Sequence, residues 1–181
     1  MIVKNESAII TRLLDSVISL IDHYVICDTG STDNTTQLID NYFKDKNING
    51  KIIYNPFENF GKTRSYSLAQ CLHEPNSDFV LLLDADMIFE MNISNIDKFK
   101  QSLTYDAYYI LQGDQHIQYK NIRLIRNKLQ FYYLGVTHEY ITSSHNYTKS
   151  IISKEKMYRK DIGDGGCKTD KYERDIKLLT Q

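Results

Sequence analysis

An α/β domain with helices packed on a mainly parallel sheet is the architecture this chain predicts, and three observations predict it. Apolar stretches with helical spacing alternate with short β-prone runs through the first half. Two of those runs end in acid-rich segments, Asp28-Thr29-Gly30-Ser31-Thr32-Asp33 and Asp84-Ala85-Asp86. Ligands of open α/β sheets bind beyond the carboxyl ends of the strands, where both segments fall. The length of 181 residues fits one domain.

Taken in order, Ile10, Leu13, Leu14, Val17, Ile18 and Ile21 recur at the spacing that lines one face of a helix, with Asn5 and Ser7 as capping candidates. Tyr24-Val25-Ile26-Cys27 reads as a buried parallel strand leading to Asp28. Leu38, Ile39, Tyr42 and Phe43 mark a second helix, capped near Ser31 or Asp33. Lys51-Ile52-Ile53-Tyr54 is the next strand, and residues 62–73 the third helix, with Leu68, Ala69 and Leu72 apolar. Pro75-Asn76 turns the chain into the run Phe79-Val80-Leu81-Leu82-Leu83, a strand ending at Asp84.

The second half changes character. Residues 107–111, 122–125 and 131–134 read as strands without intervening helices, so the sheet is expected to become mixed. A charged, Gly-rich stretch follows, Asp161-Ile162-Gly163-Asp164-Gly165-Gly166, and helical spacing resumes from Lys171 to Leu179.

Composition narrows the function classes. A formal net charge of −1 provides no broad basic field for nucleic acid or anionic membrane. No stretch approaches the roughly 18 apolar residues that span a bilayer, and no secretory leader is evident, so a soluble, cytoplasmic protein is expected. Cys27, Cys71 and Cys167 are odd in number and far apart, which fits free thiols better than a disulfide framework or a zinc site.

The acidic segments carry the chemistry. On a continuing strand Asp84 and Asp86 would share one face, and their hard oxygens suit Mg²⁺ or Mn²⁺, ions usually shared with substrate phosphates. In the other segment Gly30 permits close backbone approach, and Asp28 is an acceptor for a base N–H or for ribose hydroxyls.

Five motifs in order, Met1-Ile2-Val3-Lys4-Asn5-Glu6, Asp28 to Asp33, Phe60-Gly61-Lys62-Thr63-Arg64, Leu83-Asp84-Ala85-Asp86 and Gly135-Val136-Thr137-His138-Glu139, resemble those of family-2 type glycosyltransferases with the GT-A fold. The resemblance spans nearly the whole chain. It implies a single Rossmann-like GT-A domain: a nucleotide-binding half (1–106), an acceptor and catalytic half (107–160), and a C-terminal lid and helix (161–181). It also implies metal-dependent transfer, with inversion, of a sugar from a nucleotide-diphosphate donor, usually UDP-linked, to an acceptor hydroxyl on a glycan, protein or lipid.

Carried onto this chain, the resemblance assigns Asp86 to the metal and Asp84 with Ala85 to the ribose side of the motif, Asp84 also standing near the metal. Asp28, Thr29, Gly30 and Asp33 resemble the segment holding the base and ribose, and Ile2, Val3, Lys4 and Glu6 the opposite wall of that pocket. Arg64 resembles the basic residue that contacts the nucleotide. For the base that takes the acceptor's proton, Glu139 beside His138 is the first candidate and Asp114 the competitor.

In the C-terminal segment Asp161 or Asp164 is a candidate further metal ligand, and Lys168, Lys171 and Arg174 are candidates to hold the diphosphate. Two departures stand out: Thr29 occupies a position where many relatives carry a second Asp, and Met1-Ile2-Val3 supply only a stub of the first strand. A sugar-phosphate nucleotidyltransferase and a non-catalytic nucleotide-sugar-binding relative are the alternatives.

Overall fold

The computed structural model describes residues 1–74, 77–113, 117–162, 164 and 171–180; Asp114 and Lys168 lie outside the described residues, as do the side chains of Asp161 and Lys171. The first half builds a parallel three-stranded sheet in the order β1 (Ile2–Val3), β2 (His23–Asp28), β3 (Asn49–Tyr54). Between these strands lie α1 (Ile10–Val17), which runs into a 3₁₀ turn over Ile18–Leu20, and α2 (Thr35–Asp45). The second and third helical expectations hold, with α3 spanning Phe60–Ala69 and a 3₁₀ turn continuing to His73.

Among the described residues, six of the strands that follow form a mixed sheet. Its order is β4 (Phe79–Leu81), β7 (Gln118–Arg126), β6 (Ala107–Gly113), β11 (Met157–Asp161), β5 (Met87–Met91), with β10 (Lys149–Ile151) also beside β6. β6 is parallel to β10 and β11, whereas β7 is antiparallel to β4 and β6, and β5 is antiparallel to β11. A separate hairpin, β8 (Phe131–Leu134) with β9 (Tyr140–Ser143), packs on α3. α4 (Ile96–Gln101) follows β5, and α5 (Lys171–Leu179) ends the described chain.

The core forms where periodicity predicts it. Ile10, Leu13, Leu14 and Val17 of α1 are buried with Ile39 and Phe43 of α2, and they join Met87, Phe89, Tyr108, Ile110 and Met157 from the mixed sheet. A second cluster, Leu68, Leu82, Ala107, Ile125, Phe131 and Ile141, fixes α3 and the hairpin against the other side of β7. Fully burying one such aliphatic side chain contributes about 1.5–3 kcal/mol, which is why this face, and not local propensity, holds the eight-residue α1 in place.

Three local expectations are corrected. Asn5 and Ser7 do not cap α1, whose N-cap is Ile9 without a side-chain bond; they face the 31–33 segment instead. Asp84 and Asp86 are not on one face of a strand. β4 ends at Leu81, Leu82 N–H makes a last bond to Arg123 C=O at 2.7 Å, and a turn closed by Met87 N–H on Asp84 C=O at 3.1 Å redirects the chain into β5. Met87 is fully buried and Ala85 nearly so, so this turn is anchored in the core by its apolar positions.

The N-cap of α2 is Asn34, where Ser31 or Asp33 was expected. Asp33 still serves the helix start, accepting from Thr35 N–H at 3.0 Å and from Thr35 Oγ1 at 2.6 Å.

Candidate active site

The first acidic turn is organised by its own backbone. Asp28 ends β2 and is 8% exposed. Its carboxylate accepts from Gly30 N–H at 3.1 Å, from Ser31 N–H at 3.1 Å and from Ser31 Oγ at 2.5 Å. Gly30 adopts φ +110°, a left-handed conformation that costs glycine little, and open space surrounds its α-carbon. Thr29 is committed elsewhere, its Oγ1 and its N–H both donating to Val3 C=O, at 3.1 and 2.9 Å, so it ties β2 to β1.

The Ile2–Glu6 segment lies beside this turn. Asn5 Oδ1 accepts from Thr32 N–H at 2.7 Å, Asn5 N–H donates to Ser31 Oγ at 3.0 Å, and Glu6 N–H donates to Thr35 Oγ1 at 2.8 Å. Asp33 closes the zipper by accepting from Ser7 N–H at 3.2 Å. Burial acts to raise the Asp33 carboxyl, but the hydrogen bonds from Ser7 and Thr35 outweigh it and lower it to about 2. Val3 is buried in the core, whereas Lys4 is exposed.

The second acidic turn is organised by arginines from distant elements. Asp84 lies between Arg64 of α3, which pairs with one carboxylate oxygen, and Arg123 of β7, whose Nη1 donates to the other at 3.2 Å. Burial acts to raise the Asp84 carboxyl, yet the two guanidinium charges hold it well below the usual carboxylate range. Arg123 is aimed by a second bond, Nε to Gln112 Oε1 at 3.2 Å, and Arg159 of β11, 5% exposed, adds its charge to the same centre.

Arg64 reaches in two directions. Its Nε pairs with Glu139 at 2.9 Å, so one guanidinium joins the turn after β4 to the turn between β8 and β9. The local sequence makes that meeting possible. Ser65 Oγ is bonded to Tyr133 N–H at 2.9 Å, Phe60 N–H donates to Val136 C=O at 3.1 Å, and Gly61 lets α3 press directly on Gly135. A Cβ at Gly61 would overlap the Gly135 carbonyl oxygen.

Glu139 therefore sits in the cluster with only 13% of its side chain exposed, while the neighbouring His138 is exposed and held at φ +51°. Asp84 and Glu139 thus share Arg64, Asp84 also meets Arg123, and the Arg159 charge acts on the same centre.

The C-terminal residues meet the site from its edge. Arg174 lies over the Phe60 ring, 5.0 Å from its centroid, and pairs with Asp175 at 3.3 Å; Thr137 Oγ1 also donates to Asp175 at 3.3 Å. Asp175 thus ties α5 to the 135–139 turn, while Arg174 rests on the start of α3. Asp164 receives two bonds of 2.7 Å from Arg12 of α1. Hydrogen bonding to Asp164, then its charge and that of Asp86, raise the Arg12 guanidinium above its ordinary range.

These contacts test how the acids suit a divalent ion. Among the described residues no group of three or more His, Cys, Asp or Glu side chains is gathered for a metal. Mg²⁺ commonly uses one or two carboxylates plus substrate phosphates, so a partly exposed Asp86 at the turn suits an ion completed by a diphosphate. The two oxygens of Asp84 already face guanidinium groups.

Arg123, Arg159 and Arg12 did not emerge from the sequence motifs. A signal was there for the first two: Ile122-Arg123-Leu124-Ile125 and Met157-Tyr158-Arg159 each set an arginine into a strand with apolar neighbours, where a charge persists only if paired.

Comparison with known proteins places this geometry. The family described as glycosyl transferase family 2 matches residues 1–162. Uncharacterised glycosyltransferases of Rickettsia prowazekii and Rickettsia typhi are each 28% identical over 120 residues, which cover 66% of this chain. The matched region spans only 38% of the length of those relatives.

Among solved structures, Staphylococcus aureus TarS 1-349 superposes with a TM-score of 0.61 at 18% identity, covering 99% of this chain and 63% of TarS. The same protein in complex with UDP-GlcNAc gives 0.54 at 15% identity, with 98% and 63% covered. No helix among the described residues is long and apolar enough to cross a membrane. With its mixed sheet, flanking helices and paired acidic turns, the chain belongs to glycosyl transferase family 2 and has the GT-A fold.

Proposed function

We propose that this domain transfers a hexose from a UDP-type nucleotide-sugar donor to an acceptor hydroxyl, with inversion at the anomeric carbon. The observation that carries the reading is the Arg64 bridge, which brings Asp84 and Glu139 into one cluster although 55 positions separate them. The crystal complexes of TarS with UDP and with UDP-GlcNAc support the donor class.

In this reading the 28–33 turn and the 2–6 segment receive the base and ribose. The guanidinium groups of Arg64 and Arg123 beside Asp84 would meet the diphosphate at the end of β4. Glu139 takes the proton from the acceptor hydroxyl as its oxygen attacks the anomeric carbon and the bond from that carbon to the diphosphate breaks. Asp86 would hold Mn²⁺ or Mg²⁺ together with the donor. When bound, the ion would neutralise charge on the leaving diphosphate.

Replacing Glu139 with Gln tests the assignment. Calorimetry should give an unchanged donor affinity while the transfer rate falls about 10²–10⁴-fold; an unchanged rate moves the base elsewhere. Asp86→Ala should remove the metal-dependence of donor binding, and full metal-dependent affinity in that variant would take the ion away from Asp86. Release of pyrophosphate from a nucleoside triphosphate and a sugar phosphate would point to a nucleotidyltransferase. Donor binding without turnover would indicate a binding relative.

A further inference from the structure

The 28–33 turn has few polar groups left for a nucleobase. A carboxylate has about four acceptor positions, and Asp28 gives three of them to Gly30 N–H, Ser31 N–H and Ser31 Oγ. One remains for a ligand N–H. Thr29 commits its hydroxyl proton and its N–H to Val3 C=O. A single hydrogen bond, made in exchange for bonds to water, orients a flat heterocycle but binds it weakly. The faces of the ring must supply the affinity.

Tyr54 stands where such a face can be met. It ends β3 directly opposite Asp28 in the parallel β2–β3 register, and Asn55 N–H fixes the pair by donating to Asp28 C=O at 3.0 Å. Register partners put their side chains on one face of a sheet, in strands about 4.8 Å apart. A heterocycle lying on the Tyr54 ring therefore has Asp28 at its edge, and Gly30, with open space at its α-carbon, leaves the approach clear.

The Tyr54 ring is 66% exposed. The rings that follow it in the chain are engaged: Phe57 and Phe60 meet edge to face at 5.0 Å, and Arg174 covers Phe60. Residues 2–6, beside the turn, contain no aromatic side chain.

We propose that Tyr54 is the residue on which the donor's nucleobase stacks, with the remaining acceptor position of Asp28 bonded to an N–H on the edge of that base. The inference rests on the nucleotide-sugar reading above and adds to it the residue that binds the base. Stacking on an aromatic face serves every nucleobase, so Tyr54 supplies affinity and the choice among bases falls to Asp28.

The sequence contains no tryptophan, so Tyr54→Trp in the full chain carries a single indole reporter. UDP should quench its fluorescence, and pyrophosphate, which has no base, should not. In calorimetry Tyr54→Phe should bind UDP as the parent does, whereas Tyr54→Ala should bind it about tenfold more weakly, with pyrophosphate affinity equal in all three. Unchanged UDP affinity in Tyr54→Ala, an equal loss of UDP and pyrophosphate binding, or an indole blind to UDP would each overturn the proposal while leaving the nucleotide-sugar reading in place. A parent chain that does not bind UDP overturns that reading and this inference with it, so the two failures are distinct.

Discussion

The two acidic turns hold their carboxylates by opposite means. Asp28 is surrounded by neutral donors from the next three residues, whereas Asp84 is surrounded by guanidinium groups 20 and 39 positions away. The first is a local hydrogen-bonded loop, whose anion is stabilised wherever β2 ends. The second is a tertiary assembly that exists only when α3, β7 and β4 are all in place. Folding stability should therefore concentrate at the second turn.

The largest expected effect breaks the charge cluster. Asp84→Ala leaves Arg64 and Arg123 buried without their shared anion, and should cost about 3–5 kcal/mol in chemical denaturation. Adding Arg123→Met to that variant should restore part of the loss, because removing both partners avoids the stranded charge. A double variant no better than the single one would mean that the cluster is not coupled. Asp28→Ala should cost about 1–2 kcal/mol, the scale of a lost cap; a loss equal to that of Asp84→Ala would erase the contrast between the turns.

The smallest effect is in pH. The folded carboxyls of Asp33 and Asp84 lie below their unfolded values, so the stability they contribute is present above the ordinary carboxylate range and is lost as pH falls. For Asp33 the loss runs from the ordinary carboxyl value of 3.8 down to about 2; for Asp84 it extends to lower pH. Asp33 is exposed, so Asp33→Asn should flatten the denaturation profile in that window by less than about 1 kcal/mol. An identical slope in the variant would remove Asp33 as a source of acid sensitivity.

The same contrast explains what could be read from the chain. The 28–33 turn was legible because its partners are written beside it, and α1, α2 and α3 because apolar residues recur along one face. Asp84 was recognisable as important, but not its partners, since nothing in Phe79 to Asp86 points to Arg64 or Arg123. β5, β9, β10, β11 and α4 were also missed. Each is three to six residues long, too short for a period to declare itself, and each is fixed by pairing across the sheet or by a few core contacts. Extending the strand after Phe79 to Asp84 failed for a related reason: an apolar run signals burial, and Leu82 and Leu83 are buried without belonging to a ladder.

The contact of Gly61 with Gly135 bears on modular redesign. An engineer who exchanges the β8–β9 hairpin must transplant the start of α3 with it, since a side chain at position 61 would lift the incoming hairpin and carry Glu139 away from Arg64. The helix and the hairpin, distant along the chain, are one spare part.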